Sequence, residues 1–148
     1  MSDTQAPFFT LVNPPALGRP RGFSHGQLSP PGTRLLFVAG QTAADVDGRV
    51  ADQGFAAQFE MALTRVIAVV ATAGGKPEHI GRMTVFVTDL DAYRDARRAV
   101  GLAWKRCMGG HYPAMSLVEV TRLVDVEATV EIEATAVLPA APSSALPT

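Results

Sequence analysis

Residues 126–138 read Val126-Glu127-Ala128-Thr129-Val130-Glu131-Ile132-Glu133-Ala134-Thr135-Ala136-Val137-Leu138, and this stretch decides the fold. Its even positions, Ala128, Val130, Ile132, Ala134 and Ala136, are apolar. The odd positions carry Glu127, Thr129, Glu131, Glu133 and Thr135. Alternation with period two predicts a strand over 126–138 with one face in a core. The other face carries carboxylates, and acids on an inner strand call for partners or a function, because burying unpaired charge is costly. A second strand is expected just before it, over 112–120, as Tyr112-Pro113-Ala114-Met115-Ser116-Leu117-Val118-Glu119-Val120.

Upstream, Phe55, Phe59, Ala62, Val66, Val70 and Ala73 recur at helical spacing, and Gly74-Gly75 supplies the stop. Residues 79–88 include a strand rich in branched side chains. Asp89 or Asp91 caps one further helix, whose apolar stripe is Tyr93, Ala96, Val100, Ala103, Trp104 and Cys107. Short strands are expected at 8–12, 22–28 and 34–39. The Pro- and Gly-rich run at 13–21 reads as a loop, and Asp45-Val46-Asp47-Gly48 as a turn. Two helices cover one face of a sheet, so the expected fold class is α+β: a two-layer sandwich of a mixed sheet with both helices on one side. Leu117, Glu119, Glu131 and Glu133 are expected on the other face, a mixture suited to a subunit interface with polar pockets. Residues 1–138 read as one domain and 139–148, mostly Pro, Ser and Ala, as a disordered tail.

The chain has 148 residues and a formal net charge of −1, with no basic run, so the electrostatic footprint of a nucleic-acid binder is missing. One cysteine, Cys107, excludes an internal disulfide and suits a reducing compartment. The first residues lack the basic and apolar regions of a secretory signal, and no run reads as long enough to span a bilayer. The expectation is a cytoplasmic protein with no membrane partner.

Several segments together resemble the RidA/YjgF family of small enamine/imine deaminases. They are Gly22-Phe23-Ser24-His25-Gly26, Leu36-Phe37-Val38-Ala39-Gly40-Gln41, the helix from Gln58 to Gly74, Met83-Thr84-Val85-Phe86-Val87-Thr88-Asp89-Leu90, Pro113-Ala114 with Ser116, and Glu131-Ile132-Glu133-Ala134. The order and spacing are family-like over most of the chain. The resemblance implies a chorismate-mutase-like fold, a homotrimer with sites in clefts between subunits, and a small-molecule substrate. No cofactor is expected, because no Gly-rich phosphate loop follows a strand and Gly74-Gly75 ends a helix rather than opening one.

It also implies roles. Glu131 stands where the family acid positions and activates the water that attacks the imine carbon, a task suited to a carboxylate in a partly dry cleft. The alternative is an interface acid held by hydrogen bonds. Glu133 is read as structural, paired with Arg122 or a base of another subunit. Backbone near Gly40 and Ala114 would help to hold substrate. The chain departs from the pattern at Met115, where deaminases of imino acids have an arginine that clamps the substrate carboxylate. Losing such a contact costs roughly 2–3 kcal/mol of binding. Ala39 and Phe23 stand where many members have a hydroxyl residue and a tyrosine, so the pocket is expected to be greasier. Arg19, Arg21 and Arg97 are candidates for the missing cation, against the plainer reading of solvated surface bases. His25 and His111 are read first as packing or surface residues, and Cys107 as core. No His/Cys/Asp cluster has metal-ligand spacing, so no metal is expected. The rival reading is a non-catalytic small-molecule binder or stress-protective protein on the same scaffold; a second rival is ribonuclease activity.

Overall fold

The structure, a computed structural model, describes residues 7–20 and 25–141. Among these residues the elements run β1 (Thr10–Val12), β2 (Gly26–Leu28), β3 (Arg34–Gln41), α1 (Phe55–Thr72), β4 (Ile80–Val87), α2 (Leu90–Asp95), α3 (Arg97–Met108), β5 (Ala114–Glu119) and β6 (Val130–Leu138). Four strands form one sheet in the order β3-β6-β4-β5, while β1 and β2 make a separate antiparallel pair. The β4–β5 pairing is parallel and the others in the main sheet are antiparallel, so the sheet is mixed.

The alternation in β6 does what the sequence predicts. Val130, Ile132, Ala134 and Ala136 are buried with Val38 of β3 and Met83, Val85 and Val87 of β4. The helices cover this face through Phe59, Ala62, Leu63, Val66 and Val70 of α1 and Val100, Ala103, Trp104 and Met108 of α3. At the C-terminal end of α1, Gly74 takes φ +83° and its N–H reaches the Ala71 carbonyl. The Gly75 N–H donates to the Val70 carbonyl, which closes the helix as Gly-Gly predicts. By length and composition α1 does qualify as a possible spanning helix, contrary to the reading that no run is long enough. Its packing on the sheet identifies it as a core helix.

Three further expectations need correction. The strand expected over 126–138 begins at Val130, because 125–128 form a turn in which the Ala128 N–H bonds the Asp125 carbonyl at 3.0 Å. The helix expected after Asp89 is two helices, broken at Ala96 (φ −86°, ψ 2°). Asp89 is the cap, its Oδ1 accepting from the N–H groups of Asp91 and Ala92 at 2.9 Å. The third concerns facing. Parallel pairing sets Met83 opposite Met115, Val85 opposite Leu117 and Val87 opposite Glu119, so the odd residues of β5 share the helix-covered face. Leu117 packs against the core, and Glu119 accepts the Leu90 N–H at 2.7 Å at the start of α2. Glu131 and Glu133 do lie on the open face, opposite Phe86 and Thr84. With them are Leu35 and Phe37, 62% and 76% exposed, and Val118.

The N-terminal segment closes one end of the open face. Phe9 is buried over Gly81, its ring lying where a Cβ on Gly81 would come within 3.0 Å. Phe8 meets the ring of His79 at 4.6 Å between centroids. His79 is buried, and its Nδ1 accepts the Lys76 N–H at 3.0 Å. Burial chiefly, then the charges of Lys76 and His111, hold its pKa below the ordinary 6.5 against the opposing pull of Glu78. The folded chain thus resists a proton that the unfolded chain accepts. This contribution is complete above about pH 6.5 and is lost as the pH falls through the lowered value. Thermal melts from pH 7.5 to 5.5 are expected to show a loss of stability that is smaller in His79→Gln. An identical decline in both proteins would contradict it.

Candidate functional site

Glu131 and Gly40 come together. The register of β3 against β6 slips between Val38 and Gln41, leaving Ala39-Gly40 in a bulge. The Glu131 side chain lies across that bulge: a Cβ on Gly40 would fall 2.7 Å from its Cδ and 3.0 Å from its Cγ, and closer still to Oε1. Glycine at position 40 is therefore what lets the carboxylate rest over the strand. The strand's exit is pinned from α1, where Arg65 donates to Gln41 Oε1 at 3.2 Å and to the Ala44 carbonyl. Beyond it, Thr42 donates to Asp125 at 2.6 Å.

The start of β6 is fixed by a residue that sequence reasoning passed over. Gln58 of α1, 2% exposed, accepts from the Thr129 N–H at 2.9 Å and its hydroxyl at 3.1 Å, and donates to the Glu127 carbonyl at 3.1 Å. One buried amide thus ties the helix to the backbone two residues before Glu131. The available signal was a polar residue within the apolar stripe of 55, 59, 62 and 66.

The open face also holds a groove of about 400 Å³, lined by Phe37, Ala39, Arg82, Thr84, Glu133 and Thr135 but not by Glu131. Ala39 and Glu133 belong to this groove. Ala114 lines a smaller hollow with Gln27, Gly81 and Thr135. Met115 is elsewhere: it faces the helices and lines a cavity of about 220 Å³ between α3 and β5, with Phe59, Tyr93, Arg97, Trp104 and Tyr112. The Trp104 and Tyr112 rings stack there, 5.7 Å apart and 11° from parallel. Within one copy the sheet separates Met115 from Glu131.

Of the other candidates, Arg19 lines a surface hollow with Leu11, Asn13 and Pro15, away from Glu131. Arg21 and Phe23 lie outside the described residues. His111 is a packing residue: its Nε2 bonds the Ile80 carbonyl at 2.7 Å, and its own carbonyl accepts from Trp104 Nε1 at 3.1 Å. The His25 N–H bonds Asn13 Oδ1 at 2.8 Å. Cys107 is half-buried, 3.8 Å from the Thr64 hydroxyl. Among the described residues no cluster of three or more His, Cys, Asp and Glu side chains offers a metal site.

Residues 21–138 match the family model described as Endoribonuclease L-PSP. A crystal structure of YyfB from Yersinia pestis, a protein of the conserved Rid family, superposes with a TM-score of 0.75 at 28% identity, covering 88% of this chain and 99% of that one. The E. coli yjgF gene product gives 0.62 at 30% identity, covering 90% and 98%. E. coli TdcF, solved with bound serine, gives 0.62 at 29% identity, covering 81% and 91%. No curated protein matches the chain. The chain belongs to the RidA/YjgF/L-PSP family, a family of enamine/imine deaminases.

Proposed function

We propose that this protein hydrolyses a reactive enamine or imine. Water adds across the C=N bond, the C–N bond breaks, and a carbonyl compound and ammonia leave. The observation that carries this reading is the Glu131 carboxylate laid against Gly40, Glu131 being the residue that the resemblance reads as the family's acid. A carboxylate there accepts a proton from the attacking water and returns one to the departing nitrogen. The missing side chain of Gly40 leaves the room that the Glu131 carboxylate occupies over the strand.

The active form is a homotrimer. Leu35, Phe37, Phe86 and Val118 leave the helix-free face apolar, which fits a surface covered by another copy. Glu131 and Met115 lie on opposite faces of one sheet, so a cleft between subunits is the arrangement that lets both touch one substrate. Methionine at 115 lines that cleft with an adaptable apolar wall, and the substrate is accordingly less polar than a simple 2-imino acid. TdcF holds serine, which supports a small-molecule ligand. A net charge of −1 without a basic run gives no support to RNA as the substrate.

The second reading, a binder without catalysis, draws on Met115 itself, since the family clamp is missing. Imines generated in situ by an amino-acid oxidase separate the two. The expected result is faster imine decay with protein present, more so for an imine from an aromatic than from a small aliphatic amino acid. Saturable binding without faster decay of any imine would leave the binder reading in its place.

A further inference from the structure

We infer that Arg97 is the anion-binding residue of the cavity between α3 and β5, and that this cavity takes a carboxylate carried on a flat, aromatic body. The inference rests on the reading above only for calling that ligand the substrate; binding itself is measured without turnover.

Arg97 is the first residue of α3 and, among the described residues, carries the only charge lining the cavity. The remaining wall is flat and apolar: Phe59 and Trp104, both buried, with Tyr93, Tyr112 and Met115. The stacked Trp104–Tyr112 pair forms one side, and Phe55 holds the Tyr93 ring edge-on at 6.1 Å. Such a slot binds a planar apolar group by stacking and by contact with the polarizable thioether. A single guanidinium then fixes one end, because its planar fork matches a carboxylate with two parallel hydrogen bonds. Two other bases of these helices are already committed. Arg94 pairs with Asp91 at 2.9 Å and Arg106 with Glu60 at 2.8 Å. Among the described residues Arg97 forms no ion pair, so its fork is open to a ligand. The cation that Met115 fails to provide is thus supplied from the helix side of the same cavity.

Trp104 is the one tryptophan in the chain, so intrinsic fluorescence reports on this cavity alone. Titrating the full-length protein with phenylacetate and with phenylacetamide tests the inference. The acid is expected to bind saturably and about tenfold more tightly than the neutral amide, the scale of one charge-assisted contact. Arg97→Gln is expected to erase that preference while the amide's affinity stays within about twofold, and Arg97→Lys to keep part of it. Equal affinity of acid and amide for wild type, no binding of either, or an acid preference untouched by Arg97→Gln would overturn the inference. Failure of the deaminase reading looks different: phenylacetate binds through Arg97, yet no imine decays faster.

Discussion

Gly40→Ala is expected to remove most imine-hydrolysing activity while leaving the fold in place. The added methyl carbon would sit 2.7 Å from Glu131 Cδ, inside the van der Waals limit. The carboxylate is the far end of a flexible side chain and half-exposed, so it moves aside rather than the strands parting. Displacing a reacting group by about 1 Å costs on the order of 10²-fold in rate. Thermal stability should change little, because the bulge at Ala39-Gly40 is exposed and Gly40 does not use a left-handed backbone. Initial rates and a melting curve on the same preparation check this. A fully active Gly40→Ala protein would mean that the carboxylate's resting place over Gly40 is irrelevant to turnover.

Gln58→Leu should have the largest effect on stability. The two side chains are close in size, so the substitution leaves little cavity, but it strips partners from the Thr129 N–H, the Thr129 hydroxyl and the Glu127 carbonyl at once. A buried polar group left unpaired costs about 1–3 kcal/mol. Some of these groups regain water through the neighbouring turn, so a total loss of about 2–4 kcal/mol is expected, read from chemical denaturation. The start of β6 should loosen first, which amide exchange at Thr129 and Val130 would register as lost protection. A variant as stable as wild type would show that the amide is a passenger in the core.

Much of this architecture was legible in the chain because it is written in local periodicity. The alternation around Ile132 identified an inner strand and its buried face, and the stripe from Phe55 to Val70 identified the helix that covers it. What periodicity does not encode is how one strand's parity aligns with another's. Leu117 and Glu119 were expected on one face with Glu131 and Glu133. The parallel pairing of Met83 with Met115 puts them on the opposite face. That same pairing carries Met115 away from Glu131 and into a cavity shared with Arg97, 18 residues away in sequence, which no motif announces. The break at Ala96 was likewise hidden, since the apolar stripe continues through it. The apposition of Gly40 and Glu131 joins strands at opposite ends of the chain. Resemblance named both residues, and the close approach of the Glu131 side chain across the register slip in β3 explains what glycine does at the first.

The open face has a physical logic that links fold to function. A sheet with helices on one side exposes its other side unless a second body covers it. Here that side holds large apolar groups around acids: Phe37 and Leu35 are mostly exposed, and Glu131 and Glu133 lie between strands that carry them and Phe86. Covering this face in a trimer would dry the surroundings of Glu131 and set it against a neighbour's aromatic cavity. The proposal of hydrolysis by a shared site therefore depends on assembly and on one carboxylate.

The decisive measurement is the decay rate of a freshly generated aromatic imine with wild type and with Glu131→Gln at equal folded concentration. The amide keeps the size of the side chain and loses its capacity to take a proton. The account predicts a fall of roughly 10²–10⁴-fold, the range expected for losing a positioned general base, with oligomeric state and melting temperature unchanged. Undiminished catalysis in Glu131→Gln would contradict it.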